Sequence, residues 1–283
     1  MKDKAFKLKR ELARMSPHLC EMLDGAKAVL NDKSNPMRLA LASHALRELL
    51  REVLAHFAPD KMIKAAGWYV PDPSSKTGVT RKHRAMYAVY GCVNPSALPK
   101  SLANEVEDIA RQIGDHVEKL SEYAHTTASV LAKPETEGVE LAASTIELFP
   151  LLFAAINRGQ ETLIDELQMA LTTALDDIFV NDFFEELDIL SSHTRPTEAY
   201  VAEVTVTNID KDAIYFAGIG SVSCELQYGS DGDCRRGDGV EWKDSFPFEF
   251  KGSADTTYLK PSIDRENVSV DTSKYEKDTG DDG

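Results

Sequence analysis

A histidine, an arginine and a glutamate lie at spacings that place all three on one face of a helix. Arg47 and Glu48 follow His44 by three and four residues, and residues so spaced are neighbours on a helix surface. Histidine can act as a general base, and arginine can bind a phosphoryl group. We therefore predict His44, Arg47 and Glu48 as catalytic residues for metal-independent phosphodiester chemistry. The alternative is a solvent-exposed helix face that carries ion pairs and has no catalytic role.

Arginine followed by histidine after four to six residues, a spacing found in metal-independent ribonucleases of the HEPN type, occurs three times. The pairs are Arg38/His44, Arg51/His56 and Arg111/His116. A five-residue offset in a regular helix separates two side chains by about 140°. Only Arg38, at a helix start, can easily turn toward its histidine. His116 continues an apolar stripe, which favours a hydrogen-bonded histidine in a core or interface.

One stretch of this acidic chain has no acidic residues. Residues 73–104 contain neither Asp nor Glu. The cations that we predict to bind nucleic acid there are Lys76, Arg81, Lys82 and Arg84. Thr80 is a favourable N-cap, and backbone N–H groups at a helix N-terminus attract phosphates. Tyr87 and Tyr90 could then stack on bases. Pairing of these cations with acidic helices such as residues 104–122 is the alternative.

Metal-dependent chemistry has candidates of lower quality. The acidic residues dense enough to bind Mg²⁺ are Asp176, Asp177, Asp182, Glu185, Glu186 and Asp188. They fall on a long predicted helix, where solvated acidic faces are common. Residues 241–243 form the E-x-K triplet of many restriction-type nucleases, without the strand and helix that precede it there. We predict no metal site; Mg²⁺ is an open option that the His44 site does not require.

Composition and charge limit the partners of the chain. Its 283 residues include 32 Lys and Arg against 47 Asp and Glu, a formal net charge of −15. This charge repels nucleic acid and anionic membranes except at a local basic patch. The longest apolar run, residues 146–156, is about half a membrane span, and the N-terminal segment is charged throughout. Four cysteines lack metal-binding spacing. We expect a cytoplasmic protein with no membrane partner.

The period of the apolar residues changes along the chain. Helical spacing predicts helices over 16–31, 39–57, 80–90, 102–124, 139–157 and 160–190. Alternation from about residue 200 predicts strands, with a polar turn at 229–239. We predict an α+β protein, an all-helical bundle followed by a small antiparallel β-sandwich. The predicted divisions are a helical domain at 1–133, a second helical segment at 134–195, the sandwich at 196–275 and a disordered acidic tail at 276–283.

Several segments together resemble a known family. They are SHALRELLREVLAHFAPD (43–60), GWYV (67–70), TRKHRAMY (80–87), LDILSSHT (187–194), GSVSCELQYGSDGDCRRGDG (220–239) and DSFPFEF (244–250). This pattern resembles the predicted pPIWI-associating nucleases, prokaryotic proteins of genomic-conflict loci encoded near a PIWI-like protein. The resemblance implies a helical part followed by a β-rich part that acts on nucleic acid in defence against phages or plasmids. His193 is a second histidine to test.

Three functional hypotheses follow. The first is a nucleic-acid-processing protein, a nuclease of a defence locus, with nucleic acid and a PIWI-like or other locus protein as partners. The second is a non-catalytic adaptor or regulatory subunit whose helical part docks a partner nuclease. A ligand-sensing β-sandwich with a helical dimerisation arm is a third reading. The sequence leaves homodimerisation and the choice between RNA and DNA open.

Overall fold

The computed structural model of the chain describes residues 2–125, 127, 130 and 133–276. It contains two compact units, Met1–Gln160 and Glu161–Gly283. The predicted divisions after residues 133 and 195 stay predictions. The predicted tail at 276–283 lies outside the described residues, apart from Glu276 at the end of a short helix.

The first unit is helical, as predicted. Its helices are α1 (Lys2–Met15), α2 (Pro17–Asn31), α3 (Arg38–Phe57), α4 (Asp60–Ala65), α5 (Arg81–Tyr90), α6 (Lys100–Ala124) and the beginning of α7 (Glu135–Asn181), with a 3-10 turn at Pro95–Ala97. Helix α3 packs against α2, α5 and α6. The centre of its apolar stripe is buried, with Leu46, Leu49 and Val53 at most 1% exposed. The opposite face of α3 therefore remains for polar residues.

Helix α7 replaces the two helices predicted over 139–157 and 160–190. It begins at Glu135 and continues through Pro150 to Asn181. Gly159, which separated the two predicted helices, lies where the α5 backbone comes close. A Cβ at Gly159 would lie 2.5 Å from the carbonyl oxygen of Val89. The glycine thus permits close packing and does not end the helix.

Helix α7 is also long and apolar enough to cross a membrane. An 18-residue window has a mean hydropathy of 1.7, and 44% of that window is buried in the protein. Core helices of soluble proteins meet the same criteria of length and composition. The expected lack of a membrane partner therefore stays a prediction.

The second unit combines the end of α7 with an antiparallel sheet. Its strands are β1 (His193–Ile209), β2 (Ala213–Tyr228), β3 (Val240–Asp255), β4 (Pro261–Ser262) and β5 (Val268–Val270), and its short helices are α8 (Glu185–Asp188), α9 (Asp231–Arg236) and α10 (Ser273–Glu276). The strand order is β1-β2-β3-β4, and β5 also pairs with β3. The predicted α+β class is confirmed. Helix α9 occupies the predicted polar turn.

A helix, not a second sheet, covers the apolar face of this sheet. The predicted alternation of β2 is confirmed, because Val222, Cys224 and Leu226 are buried. The ring centroid of Phe179 in α7 lies 5.0 Å from that of Phe248 in β3. Gln168 in α7 donates a 2.8 Å hydrogen bond to a β1 carbonyl oxygen. The described strands form one sheet, so the predicted two-sheet sandwich is corrected to a helix-on-sheet layer.

Candidate functional site

The exposed face of α3 brings His44, Arg47 and Glu48 together. Arg47 Nη2 lies 3.3 Å from His44 Nδ1 and 3.3 Å from Glu48 Oε1. Arg51 Nε donates a 2.8 Å hydrogen bond to Glu48 Oε2. This bond, with the neighbouring guanidinium groups, holds the pKa of Glu48 below its ordinary value. Glu48 therefore stays ionised and holds the side chains of Arg47 and Arg51 in place.

This connected set has the groups needed for phosphodiester chemistry. His44 is exposed, whereas Arg47 and Glu48 are half-buried. An imidazole can accept a proton, and a guanidinium held beside it can stabilise charge on a phosphoryl group. The geometry is compatible with the predicted roles.

Two members of the other arginine–histidine pairs, Arg38 and His116, have structural partners. Arg38 is 7% exposed and bonds the Leu30 carbonyl oxygen and the Glu135 carboxylate. Arg38, which the sequence left able to turn toward His44, is held by these partners at the beginning of α3. His116 Nδ1 lies 2.8 Å from the Gln112 carbonyl oxygen and its Nε2 lies 3.1 Å from Ser144 Oγ. The prediction of a hydrogen-bonded His116 is confirmed.

Helix α5 begins with the predicted N-cap. Thr80 Oγ1 accepts a 3.3 Å hydrogen bond from the His83 amide, and His83 Nδ1 accepts a 3.2 Å bond from the Thr80 amide. This is a reciprocal capping box with histidine in the place usually taken by Glu or Gln. Burial among Trp68 and Tyr69 lowers the pKa of His83. The neutral imidazole is the form that the cap requires.

The structure separates the four predicted nucleic-acid-binding cations into two groups. Arg84 forms an ion pair with Asp60 and donates a 2.6 Å hydrogen bond to the Ala58 carbonyl oxygen. Lys82 Nζ lies 2.7 Å from Glu107 in the acidic α6. Lys76 and Arg81 are exposed and form no ion pair with any residue that the structure describes.

The two tyrosines expected to stack on bases belong to the packing of this unit. Tyr90 is 4% exposed, and its hydroxyl donates a 3.4 Å hydrogen bond to the Leu102 carbonyl oxygen. Burial raises its pKa to about 12. Tyr87 packs against the small core around Ile63, with its hydroxyl 3.8 Å from Cys92 Sγ. The expectation of base stacking by Tyr90 is wrong because its ring faces the core.

Two of the six metal candidates, Asp176 and Glu186, have structural roles. Among residues 2–125, 127, 130 and 133–276, no group of three or more His, Cys, Asp or Glu side chains could hold a metal ion. Asp176 Oδ1 accepts a 2.5 Å hydrogen bond from the Ala199 amide and so fixes β1 to α7. Glu186 pairs with Arg265 at 3.1 Å. The acidic segment thus tethers the sheet.

The E-x-K triplet lies on a strand. Glu241 and Lys243 follow the outward-facing pattern of β3, and Lys243 Nζ lies 3.0 Å from Glu225 of β2. Arg195 of β1 pairs with the same Glu225 at 3.0 Å. Arg195 and Glu225 were not among the residues predicted from the sequence to have a role. Their alternation in sequence was visible, but the register that joins three strands was not.

The family comparison follows the two parts of the chain. One family model, described as predicted pPIWI-associating nuclease, matches residues 12–149, and a second model with the same description matches residues 156–276. The chain belongs to the predicted pPIWI-associating nuclease family. In this family member, the α3 face lies in the first matched region and the sheet lies in the second. No curated protein and no solved structure matches the chain.

Proposed function

We propose that the chain cleaves phosphodiester bonds of nucleic acid in a prokaryotic antiphage or antiplasmid defence locus. The main support is the connected set formed by the exposed His44 with the half-buried Arg47 and Glu48, in a chain that belongs to a predicted nuclease family. It acts in the cytoplasm, with a PIWI-like or other locus protein as its partner, as a monomer or a homodimer.

His44 serves as the general base through Nδ1, which becomes free to accept a proton when Arg47 leaves it for the phosphoryl oxygens. It removes a proton from water or a ribose 2′-hydroxyl, and the resulting oxygen attacks the phosphorus as the leaving oxygen departs with a proton from solvent. Arg47 binds the phosphoryl oxygens on which negative charge develops. Glu48 positions Arg47 through the 3.3 Å contact between their side chains.

The basic segment holds the strand. Lys76 and Arg81 contact backbone phosphates directly, because they have no competing carboxylate among the described residues. Lys82 joins them by exchanging Glu107 for a phosphate, an exchange that exposed pairs permit at small cost. Arg84 supports the helix that carries the other cations.

A non-catalytic adaptor is the second candidate. One observation favours it: Lys82 and Arg84, half of the predicted contact set, are paired within the chain. An adaptor of this kind co-purifies with a partner nuclease and cleaves nothing alone.

A substrate panel tests the proposal. The purified protein is incubated with labelled single- and double-stranded RNA and DNA, with Mg²⁺ and with EDTA. Cleavage that persists in EDTA supports the His44 site. Cleavage that is lost in EDTA indicates instead a metal-dependent site formed by carboxylates. The absence of cleavage of every substrate by folded protein makes the adaptor the leading function.

A further inference from the structure

Two rows of polar side chains cross the exposed face of the sheet in the second unit. The strand register gives a first row of His193, Gln227 and Glu241 and a second row of Arg195, Glu225 and Lys243. Residues directly opposite one another in antiparallel strands share a face. Gln227 and Glu225 alternate with the buried Leu226 and Cys224, so both rows face away from the core. They lie about 6.6 Å apart along the strands.

The second row presents two cations around one carboxylate. Arg195 Nη2 lies 3.0 Å from Glu225 Oε2, and Lys243 Nζ lies 3.0 Å from Glu225 Oε1. Hydrogen bonds from Arg195 and Lys243 hold the pKa of Glu225 below its ordinary value. The side chains of Arg195 and Lys243 remain 78% and 77% exposed. The row therefore carries a net positive charge, with both cations accessible to an anion.

The first row borders a cleft with acceptor groups. Glu241 lines this cleft of about 410 Å³ with Asp231, Cys234, Arg235 and Gly239. Gln227 Nε2 donates a 3.0 Å hydrogen bond to Asp231 Oδ1. In the described part of the chain, neither Glu241 nor Arg235 forms an ion pair. Among the described residues Glu241 thus has no ion-pair partner; its carboxylate accepts a hydrogen bond from the Cys234 thiol and keeps further lone pairs for a ligand. It lies about 6.6 Å along the strand from Lys243.

Cys234 does not supply a nucleophile to this cleft. Burial, with the neighbouring Glu241 carboxylate, raises the pKa of its thiol. A thiol that stays protonated is a poor nucleophile. The cleft is therefore suited to binding, and its accessible polar groups are carboxylates and cations.

We propose that this end of the sheet binds a ribonucleoside monophosphate, with the phosphate on Arg195 and Lys243 and the ribose hydroxyls donating hydrogen bonds to Glu241. Cations bind the phosphate oxygens, and Arg195 can do so through two parallel hydrogen bonds. A carboxylate accepts hydrogen bonds from hydroxyl groups, and the 2′-hydroxyl distinguishes RNA from DNA. The ligand is a free nucleotide or a terminal nucleotide of an RNA strand. The inference rests on the proposed function only in that the chain handles nucleic acid.

Calorimetric titration of the full-length protein tests this site without any cleavage assay. The probes are adenosine 5′- and 3′-monophosphate, 2′-deoxyadenosine 5′-monophosphate, inorganic phosphate and a 5′-phosphorylated RNA oligonucleotide. We expect saturable binding of at least one ribonucleotide probe, with the deoxynucleotide about tenfold weaker. Tighter binding of the oligonucleotide that is weakened by Arg195→Ala and Lys243→Ala identifies an RNA end as the ligand, and equal binding of the oligonucleotide and the mononucleotides identifies a free nucleotide.

Variants locate the binding. Arg195→Ala and Lys243→Ala should each weaken nucleotide binding about tenfold, and Glu241→Gln should remove the preference for ribose. Lys251→Ala and Glu249→Gln are matched controls, because both residues are exposed and face outward elsewhere on β3. Absence of saturable binding, equal affinity for ribo- and deoxynucleotide, or equal effects of site and control variants would overturn the inference. None of these results bears on cleavage at His44, which the His44 variant tests separately.

Discussion

The Arg84 guanidinium pairs with the Asp60 carboxylate and so fastens the first turns of α5 to the beginning of α4. The same side chain donates a hydrogen bond to the carbonyl oxygen of Ala58, a residue with no exposed surface. A cation in the predicted nucleic-acid contact set thus has a structural role. Its neighbour Arg81 on the same helix is exposed.

Substitution of these two arginines should separate structure from binding. Arg84→Ala leaves a buried carbonyl oxygen without its donor, so we expect it to lower the free energy of unfolding by about 1–3 kcal/mol. Arg81→Ala should change it by less than about 0.5 kcal/mol. Urea unfolding followed by far-UV circular dichroism measures both. Equal effects would contradict the structural role of Arg84.

Capping by His83 should make the stability depend on pH. Burial lowers the pKa of His83 in the folded chain, against the opposing charge of Asp72 and with a further lowering by Lys82. The unfolded chain then binds the proton more strongly, so stability should fall as pH decreases through the ordinary histidine pKa of about 6.5. Protonation also removes the acceptor used by the Thr80 amide.

His83→Gln isolates this effect from the other histidines. Glutamine keeps a capping acceptor but does not titrate. The free energy of unfolding, measured at pH 5.5 and 7.5, should differ less for the variant than for the wild-type protein. An identical pH dependence would show that His83 does not cause it.

Gly220 should not tolerate a side chain. A Cβ there would clash with the Tyr200 carbonyl oxygen and the Phe248 ring. We expect Gly220→Ala to destabilise the sheet by about 1–3 kcal/mol through overpacking. Ser221→Ala, on the opposite face of the same strand, is the control. Thermal unfolding compares the two, and similar midpoints would argue against the close packing.

Nucleic-acid binding should depend on the two unpaired cations. The double variant Lys76→Glu, Arg81→Glu should weaken binding to all sequences and reduce the slope of log K against log salt by about 2. Lys7→Glu with Lys119→Glu makes the same charge change at exposed lysines elsewhere. Fluorescence anisotropy at several salt concentrations measures the slope. Equal losses for both double variants would indicate a general charge effect.

The sequence predicted features that depend on nearby residues. The stripe of α3, the Thr80 cap and the alternation of β2 each follow from spacings of two to four residues. The α3 set was predictable for the same reason, since His44, Arg47 and Glu48 are three or four residues apart at most.

Features that depend on distant residues were not predictable. Asp60 precedes Arg84 by 24 residues, and only the packing of α4 beside α5 brings them together. Gly159 was interpreted as the gap between two helices. The sequence does not show that this glycine contacts Val89, which is remote along the chain. The alternation of apolar and polar residues in a strand does not indicate which element packs on its apolar face. The sequence therefore could not distinguish a covering helix from a second sheet. The two rows of polar side chains that include His193 and Arg195 depend on the register of three strands, which the sequence does not show.

The most direct test of the proposed function is the rate of cleavage by a His44 variant under single-turnover conditions in EDTA, with the substrate that the wild-type protein cleaves. His44→Ala should reduce the rate about 10²–10⁴-fold without changing the unfolding midpoint, because His44 is exposed. His18→Ala, an exposed histidine on α2, should cleave at the wild-type rate. Unchanged cleavage by His44→Ala would contradict the account.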